Sequence, residues 1–349
     1  MKRPHVKRLT AFGVWDKLKR ALESSFANES ARIGTRRGVV AISLVVASLS
    51  IAGSAGAQQS GAAQGVPAQM VVSVEPKHGH ELPTITQQDV MVYQGRDRRP
   101  VTGWVPAKGS NAGLALAILI DDGAGFSLGP QLNDVRTFIQ GQPPTTLIAV
   151  GYMQHGTVAV AHDFTQDHAA AAKAIRLAQG FSGAGGSPYL SLSDFIKRWH
   201  IDSAIPRREV LMITSGIDDV YSGTIDNPYV DAAIQDAQCS GILVYAIYTP
   251  GSGHLGHSFF RTNWGQNYLS ELSEMTGGEG YYLIGPQAPV SFAPYLKELN
   301  AQLPNQFLLK FLANPQKKAG PESVKVTSEL HDVDFVHADK VCVAASPGQ

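Results

Sequence analysis

The chain has 349 residues, 44% of them hydrophobic and 17% charged, with basic and acidic side chains in equal number. That apolar content supplies a sizeable core and excludes a disordered chain. Residues 1–57 hold ten Lys/Arg against three acids, which leaves 58–349 with 19 basic and 26 acidic residues, a net of −7 that excludes an electrostatic footprint for nucleic acid.

The basic head ends in Arg36-Arg37, followed by an uncharged run from Gly38 to Gly53 and by Ala55-Gly56-Ala57. A positive n-region, a short apolar run and an A-x-A site predict an export signal over 1–57, cleaved before Gln58. The run is shorter than the roughly 20 residues that span a bilayer as a helix, so no transmembrane domain is expected after cleavage. The expected location is secreted or periplasmic; the alternative is anchoring to the inner membrane by an uncleaved signal. Thr35-Arg36-Arg37-Gly38 has the form of a twin-arginine signal, and the general secretory route fits the same segment. Residues 58–69 (QQSGAAQGVPAQ) read as a flexible linker.

Residues 70–107 alternate like strands: MVVSVEP, DVMVYQ, a polar GRDR turn, then PVTGWVP. From residue 114 long apolar runs alternate with helical segments. LALAILI (114–120) lacks alternation, as a strand buried on both faces should. A helix is expected near 130–140, and TTLIAVGYM and TVAVAHDF form a hairpin about Gln154-His155-Gly156. Helices follow over 167–179 and 187–200. Then come the strand 209–215, helix 226–238, strand 242–249, helix 265–276, strand 280–284 and helix 291–302. This order predicts an α/β fold, an open and mostly parallel sheet with helices on both faces, over 112–303. The tail over 304–343 returns to strands (NQFLLKFLA, SVKVTSEL, DVDFV) and is expected to pair with 70–107 as one small β domain. Cys239 and Cys342 can form one bridge. Cys239 falls on the apolar side of its helix, where a buried free thiol is the ordinary outcome.

The stretch 114–129, LALAILIDDGAGFSLG, admits two chemistries. GFSLG fits the G-x-S-x-G nucleophile elbow with Ser127 as the attacking hydroxyl. An elbow needs the strand to run straight into the first glycine, and Asp121 to Ala124 intervene, so Ser127 reads as a loop or helix-cap residue. The other chemistry is a hard-cation site, because an Asp directly after a buried strand lies where α/β sheets bind ligands. Residues 183–188 (GAGGSP) lack the lysine of a phosphate-binding loop, so nucleotide is set aside.

On these residues, 114–300 resembles a von Willebrand factor type A domain, and the stretch 70–340 resembles the von Willebrand factor A-related proteins of acidobacterial genomes. The blocks QDVMVYQGRDRRPVTGW, HDFTQDHAAAAKAI, EVLMITSGIDD, ILVYAIYT, EMTGGEGYYL and NQFLLKFL carry the match in order. The resemblance implies a Rossmann-like sheet with an antiparallel edge strand and a metal-ion-dependent adhesion site at its top. The Asp-x-Ser-x-Ser of that site falls on Asp121, Gly123 and Gly125, its threonine on Ser187, and its Asp-Gly on Ser215-Gly216. One carboxylate and two hydroxyls are too few oxygens for a Mg²⁺ ion. Asp122, Asp218 and Asp219 stand near enough to replace the missing ligands.

Residues 249–267 (TPGSGHLGHSFFRTNWGQN) read as a long loop from the carboxyl end of a strand. Its His254 and His257 are candidate metal ligands that lack a carboxylate partner. Its Phe259, Phe260 and Trp264 are candidate partner anchors, or residues that pin the loop to the domain. The reading is an exported, non-enzymatic protein-interaction or adhesion-type module with a degenerate metal site. No cofactor is expected, Mg²⁺ being the ion that site would take. The partner is a protein or cell-envelope component that the residues do not identify. The alternative is a serine- or metal-dependent hydrolase using the same top face.

Overall fold

The computed structural model describes residues 65–77, 81–123, 128–179, 186–199, 205–221, 226–251, 258–282, 287 and 289–345. The export segment and residues 58–64 of the expected linker lie outside them. Strand β1 (Val66–Pro76) begins inside that linker, where Val66 to Gln69 already pair antiparallel with Ala313 to Lys310. The strands β2 (Val90–Gln94), β3 (Asp97–Arg99) and β4 (Val101–Pro106) complete the N-terminal flank.

The chain then enters β5 (Leu114–Asp121), α1 (Gly129–Gln140), β6 (Thr146–Gln154), β7 (Thr157–Thr165) and α2 (His168–Lys173). It continues through α3 (Pro188–Lys197), β8 (Arg207–Thr214), α4 (Pro228–Ser240), β9 (Ile242–Tyr248), α5 (Phe259–Thr276), β10 (Gly280–Tyr281) and α6 (Ala293–Gln302). Strand order in this sheet is β10-β9-β8-β5-β6-β7. All neighbours run parallel except β7, which returns antiparallel from β6 through His155 and Gly156, both at positive φ (51° and 75°). A two-residue hairpin of that handedness matches the twist of its strands.

Leu114 to Ile120 are all buried because β5 is covered on both faces. Its even-numbered side chains (Leu116, Ile118, Ile120) pack with α1, α2 and α6, whereas Ala117 and Leu119 face α3, α4 and α5. The five parallel strands therefore end at one edge, called the top here, and the helices that follow parallel strands start near it, whereas α2 follows the antiparallel β7 and starts at the opposite edge.

The tail forms β11 (Gln306–Ala313), β12 (Gly320–Ser328), β13 (Val333–His337) and β14 (Lys340–Val343). Two four-stranded sheets result, ordered β13-β1-β11-β4 and β14-β12-β2-β3. Met70, Val72, Val74, Val92, Trp104, Phe311 and Val326 share the core between them. Val71 and Leu308 point the other way and join the α/β core. That double duty explains why the middle of β1 is buried without alternation.

A disulfide, Cys239–Cys342 (Cα–Cα 4.6 Å), ties the end of α4 to β14, so Cys239 is bridged rather than a free thiol. Among the described residues no helix is long and apolar enough to cross a membrane.

Candidate functional site

Asp121 ends β5 at the top edge. Its Oδ2 accepts from Thr214 Oγ1 (2.7 Å) and its Oδ1 from the Gly123 backbone N–H (2.9 Å). Burial holds this carboxyl above its ordinary range against those two hydrogen bonds, and the nearby Asp219 and Asp122 charges add to the rise. Gly123 thus serves through its backbone. Gly125 and Ser127 lie outside the described residues, as do His254 and His257.

Asp122 points into a different set of contacts. Arg176 grips both its oxygens (2.7 and 3.2 Å), and Gln179 donates its backbone N–H at 2.9 Å. Burial alone would raise the Asp122 carboxyl, yet the guanidinium and the Gln179 N–H bring it below its ordinary value. The guanidinium also lies 3.7 Å from the centre of the Tyr152 ring, and Tyr152 Oη accepts from the Arg176 backbone N–H at 2.5 Å. These contacts explain a departure from expectation. The helix foreseen over 167–179 stops at Lys173, because Arg176 and Gln179 spend their backbone donors on Tyr152 and Asp122.

Ser187 and Ser215, expected to fill the two remaining ligand positions, both have engaged hydroxyls. Ser187 is the N-cap of α3 and accepts from the Leu190 N–H at 3.3 Å, with Pro188 in the first turn. It donates to Asp218 Oδ2 at 2.7 Å. Ser215 Oγ accepts from the Ile217 N–H at 3.3 Å. Asp218 is the residue that sequence reasoning undervalued. It is buried, and its oxygens also accept from Asn227 Nδ2 (3.1 Å) and from the N–H groups of Val220 and Tyr221 (2.9 and 3.0 Å). Asn227 is in turn the N-cap of α4. One carboxylate therefore joins the caps of two helices, whose N-termini favour negative charge. Replacing Ser187 with Ala removes one cap and one of these donors. A loss of about 0.5–2 kcal/mol is expected in chemical denaturation, and an unchanged midpoint would contradict the role.

Asp219, the next residue, pairs with Arg261 in the first turn of α5. Here the expected loop over 249–267 is corrected: Phe259, Phe260 and Trp264 lie on a helix that begins at Phe259, with Ser258 at its N-cap position. Gly265, which read as the helix start, is interior. A Cβ there would lie 2.3 Å from the Ser215 carbonyl oxygen, so glycine lets the helix rest on Ser215-Gly216. Because Gly265 is level with the end of β8, the turns before it rise about 9 Å past the sheet at 1.5 Å per residue. Phe259 and Phe260 stand on that projection, 66% and 72% exposed, whereas Trp264 is half-buried against the core.

Other exposed apolar side chains gather at the same edge. Val220 (54%) follows Asp219, and Tyr282 follows β10. Leu177 lies beside Gly129 at the start of α1. Among the described residues no three His, Cys, Asp or Glu side chains converge as metal ligands. A cavity of about 470 Å³ lies elsewhere, at Gln87, Gln88, Val90 and Arg98 to Val101, and its lining holds no nucleophile, histidine or carboxylate.

No protein-family model matches the chain, and no curated protein matches its sequence. Several solved structures are similar to it at low identity. One is an aerotolerance-related membrane protein from Bacteroides fragilis with multiple mutations to serines: 15% identity, 55% of this chain and 98% of that one, TM-score 0.39. Another is the conserved hypothetical protein BatB from Bacteroides thetaiotaomicron: 13% identity, 55% and 97% coverage, TM-score 0.38. A third, the SpRpn10 VWA domain, is a distant match at 14% identity, covering 54% of this chain and 94% of that domain with a TM-score of 0.34.

Proposed function

We propose that this chain is an exported, non-enzymatic interaction module of the von Willebrand factor A type, inserted between β segments, whose top edge binds a protein without a metal ion. The carrying observation is the division of labour at that edge. Polar groups at the adhesion-site positions are engaged internally, while Leu177, Val220, Phe259, Phe260 and Tyr282 remain exposed beside them. Two guanidiniums, Arg176 and Arg261, stand against Asp122 and Asp219, carboxylates that a divalent ion would otherwise neutralise. Large exposed apolar side chains clustered at one edge mark interaction surfaces. A disulfide across 103 positions fits an oxidising, extracytoplasmic compartment.

Millimolar Mg²⁺ and EDTA should give melting temperatures that agree within about 1 °C, since an ion that does not bind the native state cannot stabilise it. A Mg²⁺-dependent rise that Asp121→Ala abolishes would overturn the metal-free reading. For the interaction itself, a photoreactive residue at position 177 or 220 should give discrete adducts in envelope extract, insensitive to chelator. The same residue at exposed Lys317, in the β part, should not. Equal adducts from all three positions would remove the top edge from consideration.

A further inference from the structure

We infer that the outer stripe of α5 is the docking site for a basic segment of the partner protein, held by apolar anchors at one end and by Lys or Arg at the other. This inference rests on the interaction-module reading above and adds the partner's chemistry.

The exposed positions of α5 recur at 260, 263, 267, 271 and 274, a helical spacing that places them on one continuous face. That face changes character along its length. It opens on Phe259 and Phe260, whose rings meet edge to face 6.0 Å apart, with Val220 held nearby by the Asp219–Arg261 pair. It passes Asn263 and Asn267, which are small and neutral, and ends on Glu271 and Glu274. Phe260 and Glu271 are about 16 Å apart along the axis.

The acidic end is uncompensated. Partial burial against the helix surface lifts the Glu271 carboxyl, and then Asp231, Asp226 and Glu274 lift it further. Among the described residues, no Lys or Arg forms an ion pair with Asp231, Glu271 or Glu274. Elsewhere the fold does supply partners, as Lys197 does for Asp236 and Arg261 for Asp219. Like charges left side by side are a standing cost that a cationic ligand removes, and the net charge of −7 over 58–349 steers such a ligand inward. The aromatic end supplies what charge alone does not, a desolvated anchor. Two exposed phenylalanines also suit a lipid surface, but a carboxylate-lined flank repels anionic headgroups, so the charge pattern favours a basic polypeptide.

The test uses the exported chain and a fluorescein-labelled peptide bearing paired leucines, a Gly/Ser spacer of about five residues and a Lys cluster. Its controls are the same peptide with Glu for Lys, and phosphatidylglycerol vesicles. Anisotropy should show binding of the basic peptide that weakens as salt rises, with no binding of the acidic one. Phe259→Ser with Phe260→Ser should weaken binding about tenfold or more. Glu271→Gln with Glu274→Gln should weaken it and flatten its salt dependence. All four positions are exposed, so unchanged melting curves will confirm that the variants fold. Absence of binding, equal binding by both peptides, or vesicle binding that needs the phenylalanines would each overturn the inference. If Leu177→Ser abolishes binding while the α5 variants do not, the stripe is wrong but the top edge remains the interaction face.

Discussion

Breaking the Cys239–Cys342 bond, by reduction or by replacing both cysteines with Ala, is expected to lower stability by about 2–5 kcal/mol. The bridge closes a loop of 103 positions that contains β9, α5, β10, α6 and three strands of the β part. In the chain-entropy account, closing a loop of that size removes denatured conformations worth about 4.7 kcal/mol. The junction it crosses has other ties that soften the loss. Gln238 donates to the Met275 carbonyl (2.7 Å) and to Asp339 Oδ1 (2.5 Å), and the Asp339 N–H donates to Met275 O (3.3 Å). These contacts hold the end of α4 against the β13–β14 turn without the covalent bond, so the reduced protein should remain folded at room temperature. Guanidinium denaturation with and without reductant measures the difference. The paired variant should match the reduced protein and ignore reductant. An unchanged midpoint on reduction would show that the bond contributes nothing to the native balance.

The bridge also shows what kind of information a sequence withholds. The α/β run was legible because each of its signals is local. LALAILID lacks alternation because both faces are covered, and the Gln154-His155-Gly156 turn carries its own positive-φ requirement. Contacts between distant positions leave no such trace. Nothing near Asp122 announces Arg176, 54 positions on, and nothing near Ser187 announces Asp218, 31 positions on. The family pattern drew the eye to Ser215-Gly216, whereas the carboxylate that reaches Ser187 lies two residues past that pair.

Gly265 misled for a related reason. Read alone, a glycine marks a helix boundary; its value here lies in the backbone of β8 against which it packs. Its neighbours Phe259 and Phe260 consequently looked like loop residues, although they occupy the first turn of an 18-residue helix. A fainter signal was present, since Ser258 precedes a run of good spacing and fits an N-cap position, though its side chain makes no capping bond.

Glu209 should make the protein lose stability as pH rises from 4.5 to about 7. Glu209 lies in the lower half of β8, fully buried, and neither oxygen has a well-formed hydrogen bond. Burial pushes its carboxyl from 4.5 up to about 7, tempered by the Arg207 charge and by Gln306. Its cross-strand neighbours, Leu116 of β5 and Leu243 of β9, are buried and apolar, and the polar groups nearby are committed elsewhere. Arg207, on the same strand, spends its donors on the Ala112, Gly113 and Leu303 carbonyls and on Gln306 Oε1. Gln306 of β11 gives its amide to Tyr245 Oη of β9 at 3.2 Å. Because the native pKa exceeds the unfolded one, the native state binds more protons between pH 4.5 and about 7. Stability contributed by this group is thus fully present below 4.5, declines through that window and is lost above about 7. A shift of that size corresponds to about 3 kcal/mol. Glu209→Gln keeps the shape and removes the titration, so its stability relative to the parent should climb with pH and level off near pH 8. Taking the difference between the two proteins cancels Asp121, Asp122, Glu271 and the other shifted groups, which titrate alike in both. The attraction of the ionised carboxylate to Arg207 is already contained in that shift, so only the difference in packing between the amide and the neutral carboxyl adds a constant offset. Urea denaturation of both proteins from pH 4.5 to 8.5 decides the matter, and a difference that stays flat with pH would show that Glu209 titrates as an ordinary, solvated carboxylate.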